Sequence, residues 1–158
     1  FRRVEWVTPE TINSLTASFA RLFPQPEAWQ RTAFEVVQRC LEHPASATAF
    51  TPPGPGAAVW RERSFEVEID GAAVSGIFDR VIVERDPAGQ LVKATLIEFK
   101  TDHIERDGDL PKAIERHKSQ TTLYTKALQQ LTGLPSSGIH ASFLFTAIPE
   151  LHPCPLPG

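Results

Sequence analysis

The hydrophobic pattern changes period along the chain. Ile12, Leu15, Phe19 and Leu22 recur every three to four residues, the spacing of one face of a helix. Thr8 as N-cap and Pro9 in the first turn mark its start, and Pro24 and Pro26 its end. A second helix is expected from Glu27 to Leu41, with Trp29, Ala33, Val36, Val37 and Cys40 or Leu41 facing inward. Residues 43–56, HPASATAFTPPGPG, are crowded with proline and glycine and read as a loop.

From Ala57 the period becomes two. AVWRERSFEVEI sets Phe65, Val67 and Ile69 against Glu66 and Glu68, a half-buried strand. Asp70-Gly71 signals a tight hairpin, and residues 73–85, AVSGIFDRVIVER, form the returning strand. Asp86-Pro87-Ala88-Gly89 turns the chain again into a third strand over 91–101, LVKATLIEFKT. The polar stretch DHIERDGDLP reads as a loop. A helix follows from Lys112 to Leu131, closed by Gly133 and Pro135, and an apolar strand over 138–148. This order predicts an α/β domain: a mixed sheet made of a three-strand meander, a crossover helix and a fourth strand in parallel, flanked by helices. The chain divides into a helical segment with its proline-rich loop (1–56), the sheet core (57–150) and a tail (151–158).

Composition bounds the rest. A chain of 158 residues with 41% hydrophobic and 22% charged residues is an ordinary globular domain. It has no apolar run long enough to span a membrane and no apolar signal region near Phe1. The opening FRRVEWVTPE and the ending PCPLPG suggest a piece of a longer chain. Cys40 and Cys154 form no metal-binding pair and read as unrelated thiols, which suits a reducing, cytoplasmic setting. A net charge of −3 means that any contact with DNA runs through a local patch or a partner.

The third strand carries the chemistry. In LIEFKTD the apolar run is interrupted by Glu98 and Lys100, which are two apart and share one face, while Ile97 and Phe99 face the other way. One strand earlier, GIFDRV places Asp79 in another apolar run, where an antiparallel hairpin can bring it beside Glu98. Two carboxylates held together repel unless a proton or cation separates them, and hard oxygen ligands on a sheet suit Mg²⁺. A lysine beside such a cation can hold an attacking water and offset charge on a phosphoryl group. The plain alternative, a surface Glu–Lys pair worth about 0.2–1 kcal/mol, needs no Asp79 next to it.

SGIFDRV, LIEFKTD and QTTLY together resemble the PD-(D/E)xK nucleases, and within them the RecB/AddA-like nuclease domain of UvrD/Rep-type bacterial helicase–nucleases. The resemblance runs from about Trp60 to Thr146 and implies a restriction-endonuclease-like fold. It also implies Asp79 and Glu98 as metal ligands with the main-chain carbonyl of Phe99, Lys100 as the catalytic lysine, and Mg²⁺ or Mn²⁺ as cofactor. Glu62, in WRERSF, matches the acid that the family places on the preceding strand. Gln120 and Tyr124, four apart on one helical face, match its Q-x-x-x-Y motif and imply a role in steadying DNA or the lysine. The implied activity is metal-dependent exonucleolytic cleavage of single-stranded DNA in recombination and repair. Its implied partners are DNA and a helicase in the same full-length chain, with room for a second nuclease–helicase subunit.

One family feature has no match here: a histidine in a G-x-x-x-H setting on an earlier helix. His43 does not fit it, and the expectation is that the motif lies upstream of Phe1. This keeps open an alternative in which the piece is a catalytically weak or inactive DNA-binding scaffold. A duplex-specific, restriction-type enzyme is disfavoured by the Q-x-x-x-Y motif. His103, His117, His140 and His152 are scattered. The basic set Lys112, Arg116, Lys118 and Lys126 reads equally as a DNA track or a solvated helix face. Trp6, Trp29 and Trp60 are expected in a core or interface.

Overall fold

The computed structural model describes residues 1, 4–8, 10–12, 14–15, 21, 27–105 and 108–156. Most of the helix expected after Thr8 lies outside these residues. Its start does not: Thr11 donates its main-chain N–H to Thr8 Oγ1 at 3.2 Å, the bond an N-cap makes.

Helix α1 (Glu27–Glu42) leads through a short 3₁₀ turn at Pro44–Ala49 to the meander β1 (Ala58–Ile69), β2 (Ala72–Arg85) and β3 (Leu91–Lys100). Helix α2 (Asp109–Thr132) then crosses over to β4 (Ile139–Phe145), followed by β5 (Leu151–Pro153). The sheet order is β1-β2-β3-β4-β5, with β3 and β4 parallel and the other pairs antiparallel. The β1–β2 hairpin turns at Asp70 (φ 52°) and Gly71 (φ 78°), the two left-handed residues of a tight twisted turn.

Three elements differ from the sequence expectation. Helix α2 begins at Asp109, with Gly108 as its cap, because Pro111 falls in the first turn, where a missing N–H costs no hydrogen bond. The sheet gains β5, three residues ending in proline and too short to carry a period. On α1, Trp29 is 70% exposed and Ala33 is exposed as well, while Cys40 and Leu41 are buried: only the C-terminal end of this helix sits in the core.

The sheet divides two cores. On the α2 side, Phe65, Phe78, Val81, Val83, Leu96, Phe143 and Phe145 pack against Ala113, Ala127 and Leu128. On the other side, Ile82, Ile97 and Leu144 pack against Val4, Phe50, Cys40 and Leu41. Arg80 is buried in this second core and bonds to main-chain carbonyls. Its Nε donates to the Ala49 carbonyl at 2.6 Å and Nη1 to the Val4 carbonyl at 2.8 Å, and Nη2 donates to the carbonyl of Glu5. Burial, reinforced by the charge of Arg61, lowers this guanidinium to about 10, still fully charged at neutral pH. The N-terminal segment is thereby fixed to the strand that carries Asp79. Both cysteines are free and buried, and no described helix is long and apolar enough to cross a membrane.

Candidate active site

Strict alternation fails at a bulge near Glu84 and Arg85, and again at the level where the site lies. Phe78, Val81 and Val83 all face α2, whereas Ile82 faces away, so β2 switches face between 78 and 81. On β1, Trp60 and Phe65 both pack on the α2 side, an odd separation that requires the same switch. The paired step that interrupts both strands is Glu62 opposite Asp79, between the pairs Arg61–Arg80 and Arg63–Phe78. Glu62 has φ 49°, a left-handed conformation rare for a residue with a side chain and frequent at functional sites.

The β2–β3 ladder ends at the same level. Its last pair is Arg80 with Ile97, so the next step sets Asp79 against Glu98. Beyond Ile97 the strands part. The main-chain N–H of Phe99 finds its acceptor in Asp79 Oδ2 at 3.0 Å rather than in a strand carbonyl. Glu98 and Lys100 share the face toward α2: Lys100 Nζ lies 3.3 Å from Glu98 Oε2 and donates to Gln120 Oε1 at 3.4 Å. Asp79, Glu98, Lys100 and Gln120 therefore converge as the sequence pattern expects.

The electrostatics of Glu98 are unusual. The residue is 3% exposed, and its Oε1 is buried with no hydrogen-bond partner. Burial, then the charge of Asp79, pushes its carboxyl up to about 7, against the smaller opposing pull of Lys100. An orphaned buried carboxylate oxygen facing a second carboxylate is costly in a bare protein. It is what a site for a hard cation contains, so these residues fit Mg²⁺ or Mn²⁺. Among the described residues no group of three or more acids, histidines or cysteines is gathered closely enough to hold a metal. Glu62 therefore stands beside the acidic pair in register without joining it as a third ligand.

Tyr124, one turn beyond Gln120, does not share the lysine's surroundings. Its ring packs edge-on against Phe65 at 5.0 Å and Phe78 at 5.7 Å. A Cβ built on Gly76 would lie 2.7 Å from both the Tyr124 hydroxyl oxygen and Phe65 Cζ, so the glycine of GIFDR makes room for these rings. One turn before Gln120, His117 Nε2 lies 2.8 Å from Asp102 Oδ2, and Arg116 Nη1 lies 2.6 Å from Asp102 Oδ1. Burial raises the Asp102 carboxyl, but the hydrogen bond and charge of His117, joined by Arg116, outweigh it and hold the group below its usual range. Asp102 sits in the EFKTD run, yet no local pattern pairs it with a helix residue fifteen positions on. Of the basic set, Lys118 pairs with Glu115 and Lys126 with Asp70, both on the surface.

An acid and a lysine two apart on a central strand, faced by an aspartate from the next, in a mixed sheet of this order, define a restriction-endonuclease-like domain. The chain belongs to the PD-(D/E)XK nuclease superfamily, which matches residues 4–151. Among curated relatives, a protein of Levilactobacillus brevis named as a subunit of an ATP-dependent helicase/nuclease is 36% identical over 84 residues, 49% of this chain and 6% of that protein. The protein of the same name from Thermoanaerobacter pseudethanolicus is 33% identical over 75 residues, 48% of this chain and 6% of its own length. The matched part thus spans about 6% of these relatives.

Proposed function

We propose that this domain hydrolyses phosphodiester bonds of single-stranded DNA, as the nuclease part of a bacterial helicase–nuclease acting in recombination and repair. The observation that carries the reading is the buried, partnerless Oε1 of Glu98 beside Asp79 and Lys100. In this reading Asp79, Glu98 and the main-chain carbonyl of Phe99 hold Mg²⁺ or Mn²⁺. A divalent cation bound there supplies a water of lowered pKa and polarises the scissile phosphate.

The chain's own residues do the rest. Glu98 accepts from Lys100 through Oε2 and so orients it; a cation held at the site would favour the ionised carboxylate, its proton passing to solvent. Lys100, 11% exposed at its side chain and held by Glu98 and Gln120, keeps its ammonium aimed at the reacting phosphate, where it positions the attacking water and stabilises developing negative charge. Attack would proceed in line: the attacking water gives its proton to solvent as its oxygen bonds to phosphorus, and the bond to the leaving 3′ or 5′ oxygen breaks, that oxygen taking a proton from water. Glu62 stands next to Asp79 as an additional acid for orienting solvent. Gln120 carries the substrate side of the Q-x-x-x-Y motif, and Tyr124 fixes the helix that presents it. The proposed partners are DNA, a helicase in the same full-length chain, and a second nuclease–helicase subunit.

The test is Mn²⁺ titration by calorimetry alongside cleavage of a labelled single strand. Binding and cleavage are expected in the wild type; Lys100→Ala should keep the metal and lose cleavage. Unchanged cleavage in Lys100→Ala would remove the proposal. Metal-free DNA binding without cleavage would favour the scaffold reading.

A further inference from the structure

His117, Gln120 and Tyr124 occupy successive turns of one face of α2, and each meets a different part of the sheet. Tyr124 is seated over Gly76 between Phe65 and Phe78. Gln120 reaches Lys100. His117 meets Asp102, two residues past Lys100 on the segment leaving β3. The Gln120–Lys100 contact in the middle is long, at 3.4 Å. A long side-chain contact of that kind is set by whatever fixes the backbones on either side of it.

We propose that Asp102 and His117 form a latch that positions Lys100, by tying the end of β3 to α2 one turn before Gln120. The inference rests on the nuclease reading for its catalytic consequence, but the latch itself is a relation between three side chains. The Asp102 side chain is 13% exposed and that of His117 22%, so water competes poorly for the bond. An ionised Asp102 only accepts, so His117 carries its proton on Nε2. Arg116 occupies the other carboxylate oxygen and leaves Asp102 a single orientation toward His117. The imidazole ring also packs against Phe143 at 6.1 Å, and Lys100 Nζ lies 5.9 Å above that same ring. His117 and Lys100 thus share one aromatic wall, and displacement of the first is transmitted to the second. Asp102 and His117 are positioning residues: they act on the reaction only through Lys100.

Two substitutions separate this from a merely structural role. His117→Gln places an N–H donor the same number of bonds from the backbone as Nε2. His117→Phe keeps a ring against Phe143 and removes the donor. Two readouts are taken: single-turnover cleavage of single-stranded DNA with Mg²⁺ in the intact protein, and the Cε–Hε NMR signal of Lys100, assigned by Lys100→Arg. His117→Phe and Asp102→Ala are expected to lower the maximal single-turnover rate about ten- to hundredfold with the half-saturating concentration within about twofold, and to move the Lys100 signal. His117→Gln is expected to restore both toward wild type, and the double variant His117→Phe/Asp102→Ala to be no worse than either single one. An unmoved Lys100 signal in His117→Phe overturns the latch, as does equal loss in His117→Gln with the fold intact by melting temperature. A wild type that fails to cleave, with the Lys100 signal still moving in His117→Phe, overturns the nuclease reading and leaves the latch standing.

Discussion

Asp79 accepts the main-chain N–H of Phe99, so a side chain completes the strand pairing at the point where β2 and β3 part. The same carboxylate therefore has a structural task and, in the proposed mechanism, a metal to hold. Asp79→Asn separates the two, because an amide oxygen still accepts the N–H while the charge is gone. Its melting temperature is expected near wild type, with Mn²⁺ binding and cleavage lost. Asp79→Ala leaves the N–H unpaired and should destabilise by about 1–3 kcal/mol. Equal stability of the two variants would show that the bond contributes little.

Glu98 makes stability depend on pH in a known direction. Its folded carboxyl holds a proton up to about 7, whereas the unfolded one releases it near 4.5. Folding takes up a proton between these values, so metal-free stability falls as pH rises through that window and levels off above 7. The total is on the order of 3 kcal/mol. Denaturant melts in chelator from about pH 4 to 8 measure it, and Glu98→Gln is expected to flatten the profile. With Mg²⁺ added, the loss at high pH should be recovered, since the cation favours the ionised form.

Gly76→Ala forces a methyl group against Phe65 and the Tyr124 hydroxyl. Overpacking of this kind costs about 1–3 kcal/mol. Adding Tyr124→Phe removes one of the three close contacts and is expected to return part of that loss, measured by urea unfolding. Tyr124→Phe alone should be nearly neutral for stability.

Glu62 holds its left-handed backbone at a cost of about 1–2 kcal/mol that glycine does not incur. Glu62→Gly is therefore expected to melt higher than Glu62→Ala, although both remove the same carboxylate. If Glu62 orients solvent for the reaction, both lose cleavage to the same degree, and stability and activity separate cleanly across the pair.

Much of this was legible in the residues. The switch from helical to twofold period located the meander, Asp70-Gly71 its hairpin, and the shared face of Glu98 and Lys100 pointed to the candidate site. What escaped was whatever depends on departures from regularity. Alternation counted through GIFDRV gives no hint that the strand changes face at Asp79, because that needs the matching irregularity at Glu62 on a different strand. Nothing around Arg80 in the sequence tells that its guanidinium serves main-chain carbonyls of Val4, Glu5 and Ala49, long-range relations without local signature. Trp29 belongs by period to the inward face of α1, but that face outruns the core it rests on.

The kink at Glu62 also bears on how this sheet ends. Among the described residues, strand β1 is an edge of the sheet, and an uninterrupted edge is a template on which another extended chain can pair. A left-handed residue midway, flanked by Arg61 and Arg63, breaks that edge into two short runs that a straight strand cannot follow. At the opposite edge, β5 is only three residues and stops at a proline. The irregularity that shapes the acidic cluster thus also guards the molecule against joining its neighbours edge to edge.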